Sequence, residues 1–394
     1  MNSSAKAPLS GYLYQIRYAL LESIKKVKTL DRFDVYIEKD DDVAFYNDNG
    51  NNDVQQVKQH KQGHILSSAS VDLWKTIGIW INILKSPSNT NDLSFYLVTT
   101  SEVSPNSAPY FLKTDCSRST EHAMVELINT ARTSQSIDNA KSYKAFIDLD
   151  LEMKRRLVSR IYILADNGNI IDLMNELKQE LYYSSPRGFI DSLVQRLEGW
   201  WNSRVIEMIH SGIDEPIRSV EIDAKIESLS DQLKQDNLPI DYELLNADIN
   251  GSEYYDRIFV NQLKIIGIAN PSRILKAIRN YYFAFNQRTN WVTEHLIDFD
   301  ELVRYEHTLI DEWDTRFQIM LDNLGESTAE EKMCEDAKQI YIWVETGDLA
   351  KIRSRMDEVN ISRGSYQILS DSLKIGWHPK FRDRIRNLLN NSEL

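Results

Sequence analysis

The sequence predicts an α+β protein, an N-terminal αβββαβ core followed by a mostly α-helical C-terminal domain. Three observations carry this reading. Short alternating segments of β-forming residues lie before residue 105, between and after two amphipathic helical stretches. Pro105 and Pro109 mark a change of pattern. Beyond them nearly every apolar run repeats at helical spacing, with breaks at Pro186-Arg187-Gly188, Gly212 to Pro216, Asn270-Pro271 and Gly325. The expected domains are residues 1–118 and 119–394.

Ser10-Gly11 opens the first helix, expected over 12–28, with Leu13, Ile16, Leu20, Ile24 and Val27 in one stripe. FDVYIE (33–38) and DVAFY (42–46) alternate and read as strands. DVQQVKQ (53–59) is the returning strand, reached through the turn 47–53, where Asn49-Gly50 is a hairpin signal. VDLWKTIGIWINILK (71–85) is an amphipathic helix, and LSFYLVTTS (93–101) is apolar enough for a buried sheet position. Further helices are expected over 120–132, 150–164, 168–182, 187–211, 218–235, 252–268, 272–285, 297–323, 327–345 and 366–374. Trp74 and Trp80 read as core or interface residues, and Trp200-Trp201 as packing.

A chain of 394 residues with 42% apolar content supports two or three cores. Cys116 and Cys334 form no disulfide framework and lack metal-ligand spacing, which fits a reducing cytoplasm. The opening MNSSAKAPLSG has no signal-peptide character, and no stretch approaches the roughly 20 apolar residues of a membrane span. A cytoplasmic protein without membrane contact is therefore expected. The net charge of −13 opposes nucleic-acid binding at first sight. Its distribution answers the objection. Residues 1–120 hold 13 basic and 13 acidic side chains, leaving 33 of the 46 basic and 46 of the 59 acidic ones to the rest. The neutral N-terminal part is the plausible nucleic-acid module, and the acidic remainder suits protein partners.

Chemistry concentrates between Glu38 and Lys58. Alternation puts Tyr36 and Glu38 on one side of the first strand, and Asp42, Ala44 and Tyr46 together on the second. On the third strand Val54, Gln56 and Lys58 share a side. Antiparallel pairing through 47–53 would bring Asp42 to Gln56 and Lys58. Carboxylate and amide oxygens suit Mg²⁺, or Mn²⁺, which keeps several waters. Asp42 is the expected first ligand, Gln56 offers its amide oxygen, and Lys58 would orient the attacking water and stabilise charge at a phosphodiester. The triplet Asp40–Asp42 leaves either Asp41 or Asp42 as the principal metal ligand. Viewed alone, the triplet reads as a solvated acidic turn. Glu38 either joins the metal shell or only accepts hydrogen bonds. Gln15, beside the stripe of the first helix, is either a boundary polar residue or a site-facing amide. His60 and His64 are metal-like at this spacing only on a helix, and Gly63 argues against one, leaving loop or substrate contacts.

With these residues in view, the strand order and the pattern Asp42…Gln56-Val57-Lys58 resemble the PD-(D/E)xK nucleases. Gly11-x-x-x-Gln15, Glu38-x-x-Asp41-Asp42-Val43, Gln56-Val57-Lys58 and Trp74-Lys75 resemble, over residues 9–105, the double-stranded DNA endonuclease domains of bacterial antiphage effectors. Downstream, 189–209 and 231–241 resemble the C-terminal region of ABC three-component system proteins. Both on one chain resemble the nuclease effector of a Lamassu-type antiphage and antiplasmid system. The resemblance implies Asp42, Gln56 and Lys58 as catalytic, with Gln15 and Glu38 supporting. It also implies an SMC-like ATPase and a small third subunit as partners, duplex DNA as substrate, and a homo-oligomer as the active form. Glutamine in place of the usual acidic residue before x-Lys is a departure that weakens metal binding. A nuclease-like domain that only docks DNA or serves as an adaptor is the alternative, motivated by the acidic remainder. A ribonuclease or nickase on the same fold also stays open.

Overall fold

The computed structural model describes residues 6–30, 32–39, 42–47, 50, 52–86, 93–211, 215–241, 254–325 and 328–392. It divides into two units, Met1–Ser230 and Asp231–Leu394. In the first unit, α1 (Lys6–Val27) buries Tyr14, Tyr18, Leu20, Leu21 and Ile24. Leu13, expected in the stripe, is instead 45% exposed. Tyr14, one residue along, takes the inward position, because a ring buries more apolar area than leucine while its hydroxyl can still find an acceptor. Tyr14 does so, donating to the Gly168 carbonyl at 3.0 Å.

Three antiparallel strands follow: β1 (Asp34–Ile37), β2 (Val43–Tyr46) and β3 (Asn52–Lys58). The register Tyr36↔Ala44↔Val54 puts these residues on one side of the sheet, against α2 (Val71–Lys85), as the alternation predicts. Between β3 and α2 lies a short strand, β4 (Ile65–Leu66). After α2 the chain enters β5 (Leu93–Thr99), which runs parallel to β3, and then β6 (Glu102–Val103), which pairs with β4. Parallel neighbours need a crossover, and α2 supplies it. Trp74 and Trp80 are fully buried beneath the sheet, Trp80 stacked on Phe95 at 5.2 Å. The first six elements thus follow the expected αβββαβ order, with β4 and β6 added.

Helices α3 (Ala108–Phe111), α4 (Thr120–Thr133) and α5 (Ala140–Ile147) come next, with Ser119 capping α4. The helix expected over 150–164 divides into α6 (Leu151–Arg160) and a strand, β7 (Ile161–Leu164). β7 pairs parallel with β5 from Phe95↔Ile161 to Val98↔Leu164. The local period is helical, but the open edge of a buried strand needs hydrogen-bonding partners, and Ile-Tyr-Ile-Leu is well suited to supply them. α7 (Ile170–Glu180) starts on a reciprocal capping box between Asn169 and Asp172. α8 (Ile190–His210) packs on α1, where Trp201 Nε1 donates to the Ile16 carbonyl at 2.9 Å and Arg17 pairs with Glu198 at 2.5 Å. β8 (Ile217–Arg218) closes the far edge, and α9 (Ser219–Gln232) ends the unit. The resulting sheet order is β7-β5-β3-β2-β1-β8. The boundary anticipated at 118/119 falls inside this unit, because both edge strands come from beyond it.

The second unit is helical among its described residues. It comprises α10 (Ile258–Ile265), α11 (Pro271–Thr293), α12 (Phe299–Asp322), α13 (Glu330–Thr346), α14 (Val359–Asp371) and α15 (Phe381–Ser392). Trp313, Tyr341, Tyr366 and Trp377 fill its core. α14 begins at Val359 rather than at 366, and α15 was not anticipated. Among the described residues no helix is long and apolar enough to cross a membrane. Cys116 and Cys334 are free thiols.

Candidate active site

The β2–β3 ladder ends at Val43↔Gln55. Beyond it the Val57 peptide has no strand partner on that side, and side chains take over. The Val57 N–H donates to Asp42 Oδ2 at 2.8 Å, and Gln15 Nε2 donates to the Val57 carbonyl at 3.3 Å. Gln15 Nε2 also donates to the same Asp42 oxygen at 2.7 Å, and Lys58 Nζ approaches it at 3.3 Å. One carboxylate oxygen therefore gathers a backbone amide, a side-chain amide and an ammonium. The donors come from α1 and from the end of β3, and the accepting carboxylate from the residue just before β2. Asp42 is 9% exposed, so the charge-assisted bonds are formed with little competition from water.

Asp42, Lys58 and Gln15, separated widely in sequence, thus meet at one place. Gln15 is the site-facing amide of the two possibilities open from the sequence. The Val57 peptide is a member that sequence reasoning misses, since a backbone group at the end of a ladder has no side-chain signature. Gln56 is 3% exposed and opposes Leu97 of β5. Among the described residues its amide shows no hydrogen bond to Asp42. Asp41, an expected metal ligand, lies outside the described residues.

Glu38 terminates β1 with φ 60°, a left-handed conformation that reverses the chain, and its N–H donates to the Asp42 carbonyl at 3.2 Å. Burial raises the Glu38 pKa above the ordinary carboxyl range; the Asp42 charge adds to this and Lys58 opposes it. The same region raises Tyr12, through burial and then through Glu38. Glu38 therefore belongs to the electrostatic neighbourhood of the site, its carboxyl partly shielded by its neighbours although the residue as a whole leaves much of its area open to solvent.

The donor chemistry fits a hard divalent cation. Asp42 supplies a carboxylate just before a strand, the Gln56 amide lies two residues before Lys58, and Lys58 brings an ammonium to 3.3 Å from that carboxylate. Among the described residues, however, Asp42 belongs to no cluster of three His, Cys, Asp or Glu ligands. A grouping of this kind occurs just past Lys58, but as stacked rings beside an ion pair and not as convergent ligands. His60 and His64 stack with ring centroids 3.9 Å apart, and His60 Nε2 lies 2.8 Å from Asp72 Oδ2. Burial lowers the His60 pKa; Asp72 pulls it back up, while His64 and Lys58 push it further down.

Comparison with known proteins matches the two units to two different domains. Residues 6–199 match the family described as Cap4, dsDNA endonuclease domain. Residues 259–385 match C-terminal domain 7 of the ABC-three component (ABC-3C) systems. The first likens the sheet-bearing unit to a double-stranded DNA endonuclease domain, over just under half of the chain. The second likens the helical unit to a C-terminal domain of multi-component systems. No curated protein matches the chain. Among solved structures, the Moraxella osloensis Cap4 SAVED/CARF-domain containing receptor aligns at 12% identity and a TM-score of 0.36, covering 71% of this chain and 68% of that one. The Acinetobacter baumannii Cap4 SAVED/CARF-domain containing receptor with the cyclic trinucleotide 3'3'3'-cAAA aligns at 12% identity and 0.33, covering 71% and 66%. The chain thus spans slightly under two thirds of the latter receptor, and likeness at these scores carries no weight here.

Proposed function

We propose that this chain is a divalent-metal-dependent endonuclease that cuts double-stranded DNA, with a PD-(D/E)xK-type centre at the end of β3. The observation that carries the proposal is the meeting of Gln15, Asp42 and Lys58 within hydrogen-bonding distance, inside the segment that matches the Cap4 nuclease domain. Asp42, with Gln56 and Asp41, would hold Mg²⁺ or Mn²⁺. Such an ion, when bound, polarises a phosphoryl oxygen and lowers the pKa of water. Gln15 and the Val57 N–H fix the orientation of the Asp42 carboxylate. Lys58 carries its ammonium to where charge develops on the scissile phosphate and orients the attacking water. Glu38 adds negative potential at the mouth of the site.

In the proposed setting the chain is the effector of a Lamassu-type complex. It would act beside an SMC-like ATPase and a small third subunit, on sensing foreign DNA, and as a homo-oligomer when active. The ABC-three-component match of the helical unit supports a multi-part assembly of this kind. A second reading has one observation in its favour: Asp42 caps the Val57 N–H at the ladder end, a structural task that a catalytically silent, DNA-docking adaptor would also keep.

Cleavage of duplex DNA by the full chain, alone and with its partners, separates the two in Mg²⁺ against EDTA. Asp42→Ala and Lys58→Ala should each lower the rate by about a thousandfold. Undiminished cutting by either variant would defeat the catalytic assignment. Salt-sensitive binding without cleavage in the assembled complex would establish the adaptor.

A further inference from the structure

In the helical unit a cleft of about 530 Å³ runs along the seam between α12 and α13. α12 turns Trp313, Phe317 and Met320 into the core, and α13 turns in Ala337, Ile340 and Val344. Beside these inward rows lie Arg316 and Ile319 on the first helix, and Lys332, Asp336 and Trp343 on the second, at spacings of three, four and seven residues that keep each set on one helical face. Met320 and Ile340 floor the cleft and are almost fully buried, whereas Ile319 stands at its rim, 57% exposed. An apolar hollow of this size between bundle helices, with few polar groups, is the usual form of a small-molecule site.

Arg316 sets the chemistry of the cleft. Its Cζ lies 3.7 Å from the centroid of the Trp343 ring, so the guanidinium is held against the indole. Nη1 donates to the Glu312 carbonyl, one turn back, at 2.9 Å. The Glu312 carboxylate is engaged elsewhere, accepting from the Tyr366 hydroxyl at 2.9 Å and from the Ala350 N–H at 3.3 Å. Among the described residues no carboxylate pairs with Arg316. Lys332, by contrast, is answered on its own helix by Asp336 at 2.6 Å. An apolar floor and an aromatic wall thus meet one guanidinium that is fixed in place and uncompensated. We infer that the cleft binds a small, singly charged organic anion, such as an aryl or acyl carboxylate. The apolar body would lie on Met320, Ile340 and Trp343, and the anionic group would take the remaining N–H groups of Arg316. A guanidinium already held on a ring offers these as a planar fork at little further entropic cost. A neutral molecule of the same shape would leave the charge unanswered in a partly desolvated cleft. Asp336 on the opposite rim disfavours a second negative charge on the ligand.

Neither Asp42 nor Lys58 takes part, so this inference and the endonuclease reading fail separately, and the test does not use DNA cleavage. The full chain is titrated with 1-anilinonaphthalene-8-sulfonate and, separately, with N-phenyl-1-naphthylamine, which has the same rings without the sulfonate. Probe fluorescence reports binding. The sulfonate should bind at about one equivalent per chain and about tenfold more tightly than the neutral probe, as one charge-assisted contact provides. Arg316→Gln should abolish that advantage and leave the neutral probe unchanged. Ile319→Asp, at an exposed rim position that the fold does not need, should weaken both probes, the sulfonate more. Near-UV circular dichroism checks that the variants keep the parent's packing, and Ile319→Asp decides alone if Arg316→Gln does not fold. Equal affinity for the two probes in the parent chain, or a sulfonate preference that survives Arg316→Gln, overturns the inference. Unchanged binding of both probes by Ile319→Asp does so too, by placing them elsewhere on the molecule. Displacement of the bound sulfonate by added partner subunits would also overturn it, giving the cleft to an acidic segment of a partner.

Discussion

Glu38 combines two unfavourable features, a left-handed backbone and a carboxyl whose ionisation is opposed by partial burial and by the Asp42 charge. Its pKa is raised in the folded chain from an ordinary value of 4.5, by burial first and by Asp42 second. A raised acid pKa means that the fold prefers the protonated form. Ionisation therefore costs stability as pH rises through the unfolded value, and the cost persists at neutrality. Glu38→Gln should accordingly be more stable at pH 7, by under about 0.5 kcal/mol given its exposure to solvent. The gain should vanish near about pH 3.5, where the carboxyl is protonated in both states. Urea unfolding in EDTA at the two pH values would measure this. Destabilisation at pH 7 would mean that the ionised carboxylate makes a favourable contact instead. At this scale the sequence exposes side chains but not the turns that aim them. Asp42 and Lys58 were legible from alternation because a strand has one repeat. His60 and His64 were not, since Gly63, which argues against a helix, is the residue whose left-handed turn stacks the two rings.

The close pairing of α11 and α14 shows what a single glycine can decide for an element. A Cβ built on Gly364 would lie 1.9 Å from the Asn280 carbonyl oxygen and 2.5 Å from Ala284 Cβ. Backbone and a short side chain cannot swing aside, so Gly364→Ala must push the helices apart. A loss of about 3 kcal/mol is expected, the upper range for overpacking in a tight core. Thermal unfolding would register it, and a shift near zero would show that the two helices do not approach so closely. The same glycine explains why α14 was anticipated only from residue 366. Arg363-Gly364-Ser365 reads locally as a breaker, and only the neighbouring helix supplies the reason for a small residue. β7 is the converse case, where a helical period yields to an open strand edge. The αβββαβ order and the buried Trp74 and Trp80 were legible because a long amphipathic helix and alternating strands state their buried side locally.

For the whole molecule the governing fact is a net charge of −13 distributed unevenly along the chain. The balanced first 120 residues contain Lys39, Lys58, Lys61 and Lys75 on and around the segments that build the site. A duplex bound there would meet few phosphate-neutralising groups. Affinity for DNA falls with salt in proportion to the number of phosphates contacted. About four contacts would reduce binding by roughly a hundredfold between about 50 and 200 mM salt, well short of the losses shown by strongly basic binders. Fluorescence anisotropy on a non-cleavable duplex, with the full chain and Ca²⁺ in place of Mg²⁺, would give the slope. Removing Lys61 and Lys75 together should flatten it by about two contacts without altering preference among sequences, because phosphates position a duplex and do not identify its bases. An unchanged slope in that double variant would move the DNA path away from the β3–α2 region. It would also take with it the proposal that Lys58 works on a scissile phosphate.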